Sequence, residues 1–236
     1  MRIKVASYNI HKGVGLDRRR DPERILAILR EIDADVIALQ ECDRRFGERT
    51  SVLPRQAIDD HTPWQIVDLA QRPNSLGWHG NGLLVRREIE VASAGIVHLP
   101  TLEPRGAVRA DLLVGGKPLR VVGMHLDISG LRRRQQVRSV LSHLADCEGD
   151  CPAVLMGDLN DWSQNGAALR EFGAGWRMIT AGRSFPARRP VAQLDRIVVS
   201  REWEIERAGV HHSPLAALGS DHLPVWATLQ LNAKAA

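Results

Sequence analysis

Apolar and polar positions alternate from the first residues. Ile3, Val5, Ser7 and Asn9 recur with period two, which predicts a strand over Arg2–Ile10. A Gly-containing turn, Lys12-Gly13-Val14-Gly15, and an Arg-rich loop follow. Asp21-Pro22-Glu23 then sets a helix start, with Asp21 as N-cap and Pro22 at the first helical position. Ile25, Leu26, Ile28, Leu29 and Ile32 supply its apolar face. Asp35 to Gln40 reads as a short buried strand ending at Glu41, which completes a β-α-β unit.

Beyond a polar region from Asp43 to Pro63 that the pattern does not assign, strands are predicted at Trp64–Leu69, Gly82–Val85, Glu90–Leu99, Gly106–Leu113 and Leu119–Leu126. Gly115-Gly116 supplies a hairpin turn between the last two. A helix is predicted from Leu131 to Cys147, with Leu131, Val137, Val140, Leu141 and Leu144 inward. Ala153–Met156 is another buried strand, a short helical segment follows near Gly166–Phe172, and strands close the chain at Leu194–Val199, Ile205–His211 and Leu223–Leu231. Two β-rich halves, each carrying helices, fit a two-sheet α/β sandwich with helices packed outside. With 236 residues and neither repeat nor linker, one domain over 1–236 is expected.

Composition narrows the class. Hydrophobic residues make up 44% and charged residues 25%, a profile of a folded chain rather than a disordered one. No apolar run approaches the ~20 residues that span a bilayer, and no secretory signal pattern is visible. Three cysteines, Cys42, Cys147 and Cys151, show no metal spacing and fit buried thiols in a reducing compartment, so a cytoplasmic location is expected. The net charge of +4 is compatible with a polyanionic partner without requiring one.

Chemistry enters where apolar strands stop. Asn9, Glu41, His125 and Asp158 each end such a run, Asn160 follows closely, Asp195 lies within Leu194-Asp195-Arg196-Ile197, and Asp221-His222 precedes the last strand. Strand ends fix side chains that reach into a shared cleft. Singly, each residue has an ordinary reading: Asn9 as a turn residue, His125 as a core histidine, Asp158-Leu159-Asn160-Asp161 as a turn with a helix N-cap. Jointly they supply what phosphoester hydrolysis needs. Glu41, Asp221 and Asn9 offer hard oxygen donors for Mg²⁺ or Mn²⁺. An Asp–His pair or a lone carboxylate can orient or deprotonate water, and His125 and Asn160 can balance phosphoryl charge.

The ordered set Ser7-Tyr8-Asn9-Ile10, Leu39-Gln40-Glu41, Asn81-Gly82-Leu83-Leu84, Gly123-Met124-His125-Leu126, Gly157-Asp158-Leu159-Asn160, Leu194-Asp195-Arg196-Ile197 and Ser220-Asp221-His222-Leu223-Pro224 resembles the endonuclease/exonuclease/phosphatase superfamily across residues 7–224. Asn9-Ile10-His11-Lys12-Gly13 and Ser184-Phe185-Pro186 are similar to its small bacterial members. The resemblance implies a four-layer α/β/β/α sandwich of two mixed sheets with the site at one edge. It also implies Mg²⁺ or Mn²⁺ as cofactor, with Glu41 as principal ligand, Asn9 beside it and Asp221 near the metal or a second one. Asp158 would orient or deprotonate the attacking water, Asn160 would hold phosphate, and His222 would contact phosphate or nucleophile under the orientation of Asp195. His125 would assist the leaving group or a phosphoryl oxygen. Arg105, His11 and Asn81 would line the cleft. The Arg132-Arg133-Arg134 run reads as a solvated helix face.

Chemistry is better defined here than substrate. No second basic cluster stands out in the sequence, which favours a phosphodiester, with nucleic acid ahead of a lipid headgroup or small molecule. The alternatives are a sphingomyelinase-like or inositol-phosphate phosphohydrolase and, from another class, an inactive nucleic-acid or protein binding module on the same fold. Aromatic residues amount to only 4%, so a broad base-stacking platform is not evident, although Trp64, Trp78, Trp162 and Trp176 are available.

Overall fold

A computed structural model describes residues 1–45, 47–101, 105–147 and 151–232. Two six-stranded mixed sheets form its centre. The first contains β1 (Arg2–Asn9), β2 (Val36–Gln40), β3 (Trp64–Ile66), β4 (Gly82–Arg86), β11 (Trp203–Val210) and β12 (Val225–Leu231), in the order β11-β12-β1-β2-β4-β3. The second contains β5 (Glu90–Val97), β6 (Gly106–Val114), β7 (Lys117–His125), β8 (Ala153–Asp158), β9 (Trp176–Ile179) and β10 (Asp195–Ser200), in the order β5-β6-β7-β8-β10-β9. The sheets are not formed by successive halves of the chain, as the sequence pattern suggested. The C-terminal pair β11–β12 returns to the N-terminal sheet and pairs antiparallel with β1.

Each sheet is built around one parallel pair, β1–β2 and β7–β8, with antiparallel neighbours on both sides. A parallel pair needs a crossover, and a helix supplies it: α1 (Pro22–Ile32) links β1 to β2, and α3 (Gly130–Ala145) links β7 to β8. Asp21 caps α1 as expected, its Oδ1 accepting the Arg24 N–H at 3.0 Å. Strands packed on both faces bury both parities, which explains their continuous apolar runs. Ile3, Val5, Val36, Ala38, Val121, Val154, Met156, Ile197 and Val199 fill the layer between the sheets. The opposite parity of β1 and β2 packs on α1, and that of β7 and β8 packs on α3. Three apolar layers therefore separate four structural ones, the α/β/β/α sandwich.

Several element expectations change. The unassigned polar region holds α2 (Arg55–His61), and the chain also forms β9 and α5 (Pro214–Gly219), while the short helix expected near Gly166–Phe172 is α4 (Ala167–Arg170). The strand expected to run to Leu69 stops at Ile66. Leu131 does not face inward: it is 70% exposed in the first turn of α3, whose buried positions are Gln136, Val137 and Val140, while Leu141 and Leu144 are half-buried. Among the described residues, no helix is long and apolar enough to cross a membrane.

Candidate active site

The inner-facing rows of the sandwich turn polar at one edge. Asn9 continues the inward parity of Ile3 and Val5, Asp158 that of Val154 and Met156, and His125 that of Leu119 and Val121. Asp195 continues that of Ile197 and Val199. Direction explains why all these ends coincide. β1, β2, β7 and β8 run toward this edge, so their last residues lie there. Their antiparallel neighbours β4, β6, β10 and β12 start there, delivering Asn81, Arg105, Asp195 and Asp221-His222. In the second sheet His125 pairs with Asp158, and Asp158 with Asp195.

Asp158 is the hub. It is 1% exposed, and its Oδ2 accepts the Asn9 Nδ2–H at 3.0 Å from across the sandwich. His125 Nε2 lies 3.3 Å from the same oxygen and His222 Nε2 3.7 Å. Oδ1 accepts the Asn160 backbone N–H at 2.9 Å. Burial works against its charge, but the hydrogen bond and charge of His125, together with His222, win and hold the carboxyl below the ordinary range. His222 faces Asp195 through Nδ1 at 2.8 Å, and the Ser184 hydroxyl donates to the same Asp195 oxygen. Burial would neutralise the imidazole, yet Asp195, Asp158 and Asp221 push its pKa up to about 10. Burial, less the attraction of His222, raises Asp195.

Glu41 lies just beyond β2 and is half-buried, paired with Lys12 Nζ. Burial raises its pKa, but the combined charges of His125, Lys12 and Arg105 pull it below the ordinary value. Asp221 borders the other side of the β1 end. Its Oδ1 is 3.8 Å from His11 Nδ1 and 3.3 Å from Ser220 Oγ, which itself donates to the Asn9 carbonyl at 2.7 Å. Glu41, Asn9 and Asp221 thus fall at the ends of three adjacent strands, β2, β1 and β12, with Asn9 Oδ1 accepting the His11 N–H at 3.1 Å. Their donor set is all oxygen, which suits a hard divalent cation.

A second grouping also satisfies proximity: ligand atoms of Asp158, Asp195 and His222 all lie within 4.8 Å of one another. It suits a cation less well. His222 Nδ1 is committed to Asp195, and an imidazolium offers no lone pair.

The remaining expected residues sit at the rim. Arg105 Nη1 lies 2.8 Å from His125 Nδ1. His11 is half-exposed, with Nδ1 3.1 Å from the Val14 carbonyl oxygen. Asn160 donates one Nδ2–H to the Leu126 carbonyl at 2.9 Å, leaving its second for another acceptor. Asn81 is buried and spends its amide on its own turn, donating to the Trp78 carbonyl at 3.3 Å. Arg134 and Arg138 pair with Glu171 on the exposed face of α3. Arg133 turns inward, its Nη1 donating to the Ile128 carbonyl at 2.6 Å and its Nη2 lying 3.7 Å from Asp161, so only part of the run is a solvated face.

Sequence reading missed Lys12, Ser184, Ser220 and Phe185, whose ring lies 4.7 Å from that of His222. All four lie within the quoted motifs, but only the fold shows Lys12 on Glu41 and Ser184, Ser220 and Phe185 around Asp195 and His222. The sequence also showed no second basic cluster. The structure corrects this, because Arg44, Arg45 and Arg49 from the unassigned region line one pocket with Glu41 and His125.

Strain concentrates here too. Among the described residues, eight non-glycine positions have positive φ, and six of them (His11, Lys12, Glu41, Arg49, His79 and Asn160) belong to this edge or the pocket beside it. Such conformations cost on the order of 1 kcal/mol or more each and persist where neighbouring structure enforces them, commonly at functional sites.

Residues 6–222 match the family model described as the endonuclease/exonuclease/phosphatase family. Uncharacterized protein YbhP of Escherichia coli K12 is 27% identical over 247 residues, covering 97% of this chain and 96% of its own. An endonuclease/exonuclease/phosphatase from Bacteroides vulgatus shares the fold with a TM-score of 0.78 at 17% identity, over 98% of this chain and 100% of that one. D. rerio TDP2 complexed with single strand DNA product gives 0.75 at 17% identity, over 97% and 99%. The order of strands, the polar edge and the match over nearly the whole chain agree: the chain belongs to the endonuclease/exonuclease/phosphatase family, whose members are phosphoester hydrolases.

Proposed function

We propose that the chain is a divalent-cation-dependent phosphodiesterase that hydrolyses its substrate by in-line attack of water. The observation that carries this reading is Asp158: a buried carboxylate facing two histidines and an asparagine, with Glu41 and Asp221 at the neighbouring strand ends. Nothing in packing requires four polar side chains to converge inside a sandwich edge, and their desolvation is costly.

Each residue has a role that its contacts support. Asp158 accepts a hydrogen bond from the attacking water and sets its direction. His222, oriented through Nδ1 by Asp195, directs Nε2 toward the same place and donates to a phosphoryl oxygen. His125, with Arg105 against its ring, serves the leaving-group side, and Asn160 offers its remaining amide hydrogen to phosphate. Glu41, with Asn9 and Asp221, would hold Mg²⁺ or Mn²⁺, which when bound supplies Lewis-acid stabilisation of phosphoryl charge. Lys12 would yield its place on Glu41.

A diester is favoured because the site continues on both flanks. The pocket behind Glu41 opens on one side. On the other, exposed Trp162 packs edge-on to Phe185 at 5.9 Å, next to His222. A substrate extending in both directions from phosphorus suits that layout, and a polynucleotide is the leading candidate.

The test is hydrolysis of bis-para-nitrophenyl phosphate in Mg²⁺ or Mn²⁺. Asp158→Ala and His222→Ala should each lower kcat by roughly 10³-fold. Equal rates in all three proteins would remove the mechanism. Plasmid DNA, abasic oligonucleotide, sphingomyelin and phosphoinositide assayed side by side then identify the substrate, and turnover of a lipid alone would displace the polynucleotide.

A further inference from the structure

The ladder between β7 and β8 reaches one residue past the strands, where the Leu126 N–H donates to the Asp158 carbonyl at 3.0 Å. Beyond that point the two loops part, one leading to α3 and the other, carrying Asn160 at positive φ, to α4. A single side-chain bond joins them at once: the Asn160 Nδ2–H donates to the Leu126 carbonyl at 2.9 Å. Farther out they meet again on Asp161, which is buried.

Two guanidinium groups from different elements converge on this residue. Arg133, in the first turn of α3, donates through Nη1 to the Asp127 carbonyl at 3.2 Å and the Ile128 carbonyl at 2.6 Å, both in the β7 loop. Its Nη2 lies 3.7 Å from Asp161 Oδ1, which also accepts the Ser163 N–H at 3.0 Å. Arg196, the second residue of β10, is buried and donates through Nη2 to the Asp161 carbonyl at 3.2 Å and the Ser163 carbonyl at 3.0 Å. Two successive residues of β10 thus serve the edge, Asp195 on His222 and Arg196 on the β8 loop. Asp161 is hemmed in as well: a Cβ at Gly166, the N-cap of α4, would lie 2.2 Å from its Oδ2.

Stability alone would not select this arrangement. Burial lowers the Arg196 pKa against the attraction of Asp161 and Asp195. The Nε–H of Arg133 and that of Arg196 have no hydrogen-bond partner among the described residues. Apolar side chains of similar volume would fill such a space without the desolvation cost. What charge-assisted, forked hydrogen bonds add is direction.

We infer that Arg133, Asp161 and Arg196 form a clamp of positioning residues, which locks the loops leaving β7 and β8 together and so sets Asp158 and Asn160 against His125. Its effect on turnover rests on the hydrolase reading above, while the clamp itself is a property of the folded chain. Leu126 directly follows His125, and the Asn160 N–H holds Asp158 Oδ1, so a shift of either loop reaches the reacting groups within one or two residues. Rates are sensitive to such shifts, a displacement of about 1 Å costing up to about 10²-fold.

Arg133→Gln and Asp161→Asn each remove one half of the charge pair with little change of size, and Gly166→Ala displaces the Asp161 carboxylate with no change of charge. On bis-para-nitrophenyl phosphate, each variant should lose about 10- to 100-fold in kcat with KM within about twofold of the wild type, because the clamp acts on geometry rather than on binding. The Arg133→Gln/Asp161→Asn protein should be no more impaired than either single variant, since each alone opens the clamp. Amide hydrogen exchange reads the clamp without turnover. In Arg133→Gln and Asp161→Asn the Leu126 and Asn160 amides should exchange at least about tenfold faster than in the wild type, while the central amides of β7 and β8 keep their protection. Exchange at Leu126 and Asn160 that stays at the wild-type rate, or rises no more than at the strand centres, overturns the clamp. Unchanged kcat in all three single variants of an active enzyme overturns it too. A wild type that leaves the ester intact would sink the hydrolase reading, and exchange would still decide the clamp.

Discussion

Asp158 and His222 show how residue chemistry follows from position. Asp158 is the last residue of a buried strand, so nearby imidazoles rather than water must stabilise its charge. His222 sits between Asp158 and Asp195 and is held as an imidazolium up to about pH 10. A histidine whose folded pKa is raised contributes stability that is fully present below its unfolded value of about 6.5 and is lost as pH rises through about 10. The cation-free protein should therefore lose stability between those limits, and the His222 ring resonances should titrate near the upper one. Asp195→Asn removes the nearer attracting charge, 2.8 Å from Nδ1 against 3.7 Å between Nε2 and Asp158, and should move the titration midpoint downward. A midpoint near 6.5 in the wild type would show that the carboxylates do not act on His222 as described. These residues were legible in the sequence because polar groups replace apolar ones at inward parities: Asn9 after Val5, His125 after Val121, Asp158 after Met156. Lys12, Arg44, Arg45 and Arg49 were not, because loop residues carry no period and a charged loop reads as a solvated one.

At the scale of elements, the strand ends coincide only if β7 and β8 pair closely and in register and the two sheets pack closely, and one glycine serves each approach. A Cβ at Gly157 would lie 1.8 Å from the Met124 carbonyl oxygen, a backbone atom that cannot step aside without parting the parallel pair. A Cβ at Gly123 would meet the side chains of Leu83 at 3.1 Å and Ala38 at 3.2 Å, across the space between the sheets. Gly123→Ala should cost about 1–3 kcal/mol by overpacking. Gly157→Ala should exceed that, and it should also depress hydrolysis by displacing both Asp158 and His125. Thermal melts rank the two, and a Gly157→Ala protein as stable and active as Gly123→Ala would show that the pair tolerates widening. The β-α-β units were readable from Asp21-Pro22 and the apolar period of α1. The short elements β9 and α5 were not readable, since a four-residue strand or six-residue helix carries too few repeats to register a period. Leu131 misled for a related reason: α3 has the right spacing there, but its first turn is not covered by the sheet.

Across the whole molecule, the same pattern of one parallel pair with antiparallel flanks occurs in both sheets, and the stacking of β1 on β8 and β2 on β7 brings their C-terminal edges together. That apposition was implied by the motif resemblance but not by the strand pattern, which does not show that β11 and β12 return to the first sheet. Ligand atoms of Asp158, Asp195 and His222 lie within 4.8 Å of one another, the proposed Glu41–Asn9–Asp221 row lies at the adjoining strand ends, and stability can tell the two apart as cation sites. A ligand that binds only the folded chain raises its stability by about 2.7 kcal/mol at one hundred times its dissociation constant. For a chain of this length that corresponds to several degrees in Tm, at about 2–4 °C per kcal/mol. Saturating Mn²⁺ should produce such a shift in the wild type. Glu41→Gln keeps the shape of the side chain but removes the charged ligand, and should abolish most of the shift. Asp195→Asn should preserve it, because that carboxylate is occupied by His222 and Ser184. The reverse result, a shift retained in Glu41→Gln and lost in Asp195→Asn, would move the cation to the buried Asp158–Asp195–His222 group and require His222 to release its proton on binding.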